Sequence, residues 1–170
     1  ASIAACYGRD RVWGELFHTT GWGFPLDQQL AGIAENACYG LDRYNKHGLY
    51  YATLGGWYEH APPDTHFRQP YWEQADAFND AVTRLMYLCS RGDRVVDAAM
   101  LYPITSVQAG RLAADGADRR APPELTDAAR EIDERTREIA ASLYADVTDL
   151  FLVDHETVRD GTVADGHFAF

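Results

Sequence analysis

The sequence is short of the residues that would point to metal, redox or disulfide chemistry. It has three cysteines in 170 residues, Cys6, Cys38 and Cys89. An odd count without CxxC spacing argues against a disulfide framework and against a zinc site. Their apolar, helical surroundings predict buried thiols. No run approaches the ~18 apolar residues that a membrane helix needs, and no secretory leader pattern is present, which leaves the compartment open. Positive charge is scarce: 15 Lys and Arg stand against 26 Asp and Glu, a formal net charge of -11. Such a balance repels a nucleic-acid backbone and reads instead as solubility, with some carboxylates available for chemistry. Gly55-Gly56 has neither a GxGxxG nor a GKS/T context, so it is not a phosphate loop.

Aromatic residues are plentiful. Four Trp and ten Tyr within a 46% apolar composition suit a packed core, and equally a sugar site, where flat rings cover the C–H faces of pyranoses. The opening residues to Gly8 read as the last turns of a helix closed by glycine, so the chain is expected to be a piece of a longer protein. Arg11–Phe17 reads as a short buried strand. After the Gly21 and Gly23 hinges, Pro25 opens a helix whose Leu26, Leu30, Ile33, Ala34 and Ala37 repeat at three and four residues, ending at Gly40. A second strand is predicted from Leu41 to Ala52. The loop from Thr53 to Pro70 is long enough to suggest a function.

A helix from Tyr71 to Ser90 follows, with Trp72, Ala75, Asn79, Val82, Met86 and Cys89 on one face, Phe78, Leu85 and Leu88 broadening it, and Gly92 as its stop. Composition then shifts. Val95–Tyr102 is a nearly continuous apolar strand. A polar connection with Pro122-Pro123 leads to an amphipathic helix over 124–145, with Leu125, Ala129, Ile132, Ile139 and Leu143 as its buried stripe. Asp149–Asp154 is the next strand, completing a βαβ unit. Asp165-Gly166 is a hairpin turn signal.

Glu15 is the first candidate for chemistry, because it lies near the C-terminal end of its strand and just before a glycine-bearing loop, with Trp13, Phe17 and Trp22 as apolar neighbours. Spacing alone reads such a residue more often as a structural hydrogen-bonding carboxylate. The segment Glu15-Leu16-Phe17-His18-Thr19-Thr20-Gly21-Trp22 resembles the strand-and-loop motif of large bacterial glycoside hydrolases of the α-L-rhamnosidase type. The resemblance continues through His47-Gly48-Leu49-Tyr50-Tyr51, the proline-rich stretch Pro62 to Trp72, Arg84–Gly92 and Val96–Pro103, and extends to Phe151–Thr157. Each motif is modestly specific; their shared order across nearly the whole chain is stronger.

The resemblance implies an α/β fold in which residues 1–92 are the C-terminal part of a (β/α) barrel. Residues 93–170 would then be the first βαβ unit of a flavodoxin/glutamine-amidotransferase-like domain. Arg11–Phe17 becomes the seventh barrel strand and Leu41–Ala52 the eighth. It also implies that Glu15 is the base or nucleophile of a glycosidase, and the base if the enzyme inverts. His18, Trp22, His47, Tyr51 and Trp57 are the expected sugar-binding residues; Tyr58 and Trp72 are further subsite candidates, although Trp72 suits a core anchor better.

Glycoside hydrolysis needs two carboxyl groups, and the partner is expected outside this chain, with Glu59 and Asp64 as weak local candidates. The expected partners are a carbohydrate and the rest of the same polypeptide, without nucleic acid or membrane. No cofactor is assigned. His60 and His66 match no zinc pattern, and the resemblance allows calcium near the bound sugar in the full-length enzyme, with no ligands assigned here. Cys89 lacks the strand-to-helix elbow of an amidotransferase nucleophile, so no glutaminase activity is expected. The alternatives are a β-galactosidase-like hydrolase and a non-catalytic carbohydrate-binding or assembly module.

Overall fold

The computed structural model describes residues 2–52, 54, 61–92, 94–112, 124–146 and 148–169. The chain divides into two compact units, Ile3–Arg94 and Val95–Phe170.

In the first unit, α1 (Ser2–Cys6) ends where Gly8 adopts a φ of 61°. Strand β1 (Trp13–Leu16) pairs in parallel with β2 (Arg43–Lys46), with Glu15 opposite Asn45. Helix α2 (Leu26–Cys38) connects them, and α3 (Ala75–Cys89) follows a 3-10 turn at Trp72–Gln74. Both strands are shorter than their apolar runs predict. β1 stops because Phe17 turns into the left-handed region at a φ of 77°, a strained state for a bulky residue. That turn brings its ring against Phe24 and Tyr44, at centroid distances of 5.0 and 5.8 Å. The strand entries are tied together by Asp42, which accepts from the Val12 N–H and from Arg11, while Arg11 also reaches the Ser90 carbonyl at the end of α3.

Alternation of side chains along each strand sends Gly14, Leu16, Tyr44 and Lys46 toward the helices, and leaves Trp13, Glu15, Arg43 and Asn45 on the more exposed face. The core consists of Ile33 from α2 with Phe78 and Val82 from α3, sealed by Leu16, Phe17, Leu26, Tyr44, Leu85 and Met86. Full burial of a side chain such as Ile33 contributes about 1.5–3 kcal/mol. The buried stripe of α3 is Ala75, Phe78 and Val82, rotated from the predicted one: Asn79, Cys89 and Trp72 are exposed. Cys38 is exposed as well, and Cys6 is half-buried, so the expectation of buried thiols is corrected. A helix only half covered by neighbours leaves its flanking cysteines in solvent.

In the second unit, β3 (Ala98–Leu101) pairs in parallel with β4 (Leu150–Val153). Between them lie a short helix α4 (Ile104–Ala109), which the sequence reading missed, and α5 (Asp127–Ala145). Thr126 caps α5 by accepting from the Ala129 N–H, the usual use of a threonine at that position. The buried residues of α5 are Ala129 and Thr136, whereas Ile132 and Ile139 are 36% and 52% exposed, so the predicted stripe was too broad. After β4 come α6 (His155–Asp160) and the hairpin β5 (Thr162–Ala164) and β6 (His167–Ala169). Asp165 and Gly166 turn that hairpin with positive φ at both positions, which Asp-Gly is suited to provide.

Candidate functional site

The first unit brings Glu15, His18 and His47 together at the C-terminal ends of β1 and β2. Glu15 and Asn45 are register partners. His47, two residues beyond Asn45, projects toward the same face as Glu15 because side chains alternate with a period of two. The diagonal is short enough for contact. His47 Nδ1 lies 2.7 Å from Glu15 Oε1, with the histidine 14% and the glutamate 44% exposed. Such a charge-assisted hydrogen bond orients the carboxylate more firmly than a neutral one would. Glu15 Oε2 has no hydrogen-bond partner among the described residues. One oxygen is therefore held and the other is open.

The far side of the His47 ring is fixed by Tyr50 and by the segment that begins at Ala61. Its Nε2 lies 3.1 Å from the Ala61 carbonyl oxygen and 2.9 Å from the Tyr50 hydroxyl. Tyr50 in turn donates to the same carbonyl at 2.5 Å. Burial pushes the Tyr50 phenol above its ordinary value, and the charges of Asp64 and Glu15 push the same way. The hydroxyl thus stays protonated and keeps its donor role. The His18 ring stacks at 4.4 Å between centroids, tilted by 56°, against His47.

Beneath this lies an ion pair. The Asp64 side chain is fully buried, and Arg68 Nη1 approaches its Oδ2 at 2.5 Å. Its other oxygen accepts from the His66 N–H at 3.2 Å. Arg68 also donates to the Tyr50 carbonyl at 3.2 Å. Burying a carboxylate is tolerated where a charge partner and hydrogen bonds compensate it, and both are present here. A leaving-group oxygen has no route to a carboxylate so enclosed, so Asp64 is removed from the candidates for a general acid. Glu59 lies outside the described residues.

The structure therefore brings Glu15, His18 and His47 together. Trp22 stands on the loop after β1 and is 41% exposed. Tyr51 is fully solvent-exposed and makes no hydrogen bond or ring contact among the described residues. Its neighbour Tyr50 takes the place beside His47 instead. Trp57, Tyr58 and His60 lie outside the described residues, as does Gly55-Gly56. Trp72, expected to anchor its helix in the core, is 42% exposed and packs edge-on against His66 at 5.2 Å. The helix is anchored by Ala75, Phe78 and Val82 instead.

Sequence reasoning missed Tyr50, the Ala61 carbonyl and the use of Arg68. Opposite charges at 64 and 68 are a recognisable signal only on a helix, and this segment is an irregular loop. Among the described residues no three His, Cys, Asp or Glu side chains converge as a metal site, so no residue here is assigned to calcium. No helix of the described residues is long and apolar enough to cross a membrane. Comparison of the chain with protein-family models, with curated proteins and with solved structures gives no match.

Proposed function

We propose that this chain is part of a glycoside hydrolase of the α-L-rhamnosidase type, in which Glu15 is the base that activates water or the nucleophile that attacks the sugar. The observation that carries this reading is the Glu15 carboxylate itself. It is 44% exposed at the C-terminal end of a parallel strand, one oxygen held by His47 at 2.7 Å and the other open. A general base must be ionised, oriented and within reach of the proton it takes. His47 on one oxygen provides the orientation, and the other oxygen has no hydrogen-bond partner among the described residues. The His18 ring, stacked on His47, supplies a polar edge that suits a sugar hydroxyl.

On this reading the first unit is the closing portion of a (β/α) barrel, whose active site collects at the C-terminal ends of the strands. The second unit is the start of an amidotransferase-like accessory domain. The general acid comes from elsewhere in the polypeptide, since Asp64 is enclosed. The two carboxyl groups would stand ~6.5–9.5 Å apart in an inverting enzyme and ~5–5.5 Å in a retaining one.

The test is a panel of aryl glycosides offered to the complete polypeptide, with the first-formed product followed by proton NMR. Release from an α-L-rhamnoside with inverted anomeric configuration supports Glu15 as base. Retained configuration makes it a nucleophile. Release from a β-galactoside alone shifts the substrate to that sugar. Sugar binding without any release, across the panel, would reduce the site to a binding module.

A further inference from the structure

The segment 61–68 is bonded to the segment 47–50 at several points. The Gly48 N–H donates to the Pro63 carbonyl, and the Gly48 carbonyl accepts from both the N–H and the hydroxyl of Thr65. Tyr50 meets the Ala61 carbonyl through its hydroxyl and Arg68 through its own carbonyl. Ala61, Pro63, Asp64 and Thr65 are all buried. A fully buried carboxylate is tolerated where it is paired and hydrogen-bonded, and here its partner Arg68 also holds the Tyr50 carbonyl.

The donor arithmetic at His47 identifies what is held. Nδ1 faces a carboxylate oxygen and Nε2 faces a carbonyl oxygen, and both are acceptors. The single hydrogen of the Tyr50 hydroxyl is directed at the Ala61 carbonyl, so toward His47 this hydroxyl offers its oxygen. Nε2 must therefore carry a hydrogen. Two bare acceptors 2.7 Å apart would repel, so a second proton lies between Nδ1 and Oε1. Were the ring to flip or swing, that arrangement would be lost.

We infer that Asp64 and Arg68 are positioning residues for the Glu15–His47 pair. The buried carboxylate fixes the guanidinium, the guanidinium fixes the Tyr50 carbonyl, and Tyr50 with the Ala61 carbonyl locks the His47 ring as a donor to Glu15. Neither Asp64 nor Arg68 touches Glu15, and their effect is transmitted through His47. The catalytic meaning of this device rests on the reading of Glu15 given above, but its geometry does not.

The test uses the complete polypeptide labelled with ¹⁵N. The readouts are the long-range proton–nitrogen correlations of the His47 ring and the downfield, slowly exchanging Nδ1 proton, with the amide spectrum reporting the fold. His47→Gln assigns the signals. In the wild-type chain the Nδ1 proton is expected to be visible, and Glu15→Gln should shift it strongly. Arg68→Ala should abolish it through ring averaging while the amides of α2 and α3 stay in place, and Arg68→Lys should restore part of it. Tyr50→Phe, which removes one hydroxyl and is the gentler change, should weaken the signal and exchange-broaden the ring, and decides the question if Arg68→Ala does not fold. An unchanged His47 signature in Tyr50→Phe, or in a folded Arg68→Ala, overturns the inference. In the complete polypeptide Arg68→Ala and Tyr50→Phe should lower kcat, by up to about 10²-fold, and leave KM within about twofold. The NMR readout does not involve hydrolysis, so failure of the glycosidase reading and failure of the positioning device are seen separately.

Discussion

Both units contain a pair of parallel strands four residues long, and the two pairs end very differently. At the end of β1 and β2 stand Glu15 and His47, bonded to each other and backed by a buried ion pair. At the end of β3 and β4 the chain meets Asp154, whose carboxylate accepts from the Thr157 N–H and is thereby used as the N-cap of α6. His155 lies 3.3 Å from the Thr105 hydroxyl, and both residues are exposed. Strand ends in α/β proteins are common places for sites, but a strand end alone is not a site. The first pair differs in having a carboxylate oxygen left open and a donor whose far side is fixed by buried groups. In the second pair the comparable carboxylate is taken up in holding the backbone.

The difference extends to how polar groups are buried. In the first unit Gln29, Asp42, Asp64, Thr65 and Gln69 are buried, whereas in the second only Thr136 and Thr157 are, among the described residues. Low-dielectric surroundings make satisfied polar networks rigid and unsatisfied ones expensive. In the first unit Asp64 and Thr65 carry part of that cost in the segment bonded to residues 48–50, beside the Glu15–His47 pair.

The comparison can be broken at His47 first. In the complete polypeptide His47→Ala should lower kcat by about 10²-fold through loss of Glu15 orientation, an effect of the size general acid–base geometry supplies. The matching His155→Ala in the second unit should leave kcat within twofold, checked by steady-state kinetics on the same substrate. Stability gives the next contrast. Asp64→Ala leaves the Arg68 charge partly buried without its partner and should cost about 3–5 kcal/mol. Asp154→Ala removes a helix cap and should cost about 0.5–2 kcal/mol. Chemical denaturation followed separately in each unit by hydrogen exchange reads both.

Alkaline pH should also separate the units. Burial raises the phenols of Tyr44 and Tyr71, and burial raises Tyr50 with help from Asp64 and Glu15. An ionisable group whose folded value is raised contributes stability that is intact below its unfolded value, near ~10 for tyrosine. That stability is lost as pH climbs from there toward the folded value. Lys46, lowered by burial, works in the opposite sense, since raising the pH relieves its cost, but one lysine is set against three phenols. Hydrogen exchange should therefore show the first unit loosening above pH ~10 before the second. The smallest effect is expected at Tyr51. Being fully exposed, its change to Ala should alter stability by less than about 0.5 kcal/mol and leave the His47 ring signals in place. Tyr50→Phe, one residue away, should perturb them.

Much of the element order was readable because long amphipathic periods and glycine stops are local properties. Helix α2 between Pro25 and Gly40, the amphipathic period of α5, and the Asp165-Gly166 turn are examples. Strand lengths were not readable. Apolar runs such as Val95–Tyr102 continue past the point where pairing ends, because pairing depends on a neighbour rather than on the run itself. Faces were misread for the same reason: Cys89, Ile132 and Ile139 look internal by period yet are exposed. Glu15 and His47 were found from their places near strand ends and from motif resemblance, whereas their contact depends on the β1–β2 register, which no local pattern encodes. The clasp was hidden altogether. Its members, Tyr50, Ala61, Asp64 and Arg68, act through backbone carbonyls and an irregular loop.

The central claim is that the Glu15 carboxylate, held through His47, does the chemistry. Steady-state turnover of an aryl α-L-rhamnoside by the complete polypeptide and by its Glu15→Gln variant tests it most directly. The account predicts hydrolysis by the first and a fall in kcat of at least about 10²-fold in the second, with the far- and near-ultraviolet circular dichroism of the two superimposable. A folded Glu15→Gln enzyme that turns over at the wild-type rate would contradict it.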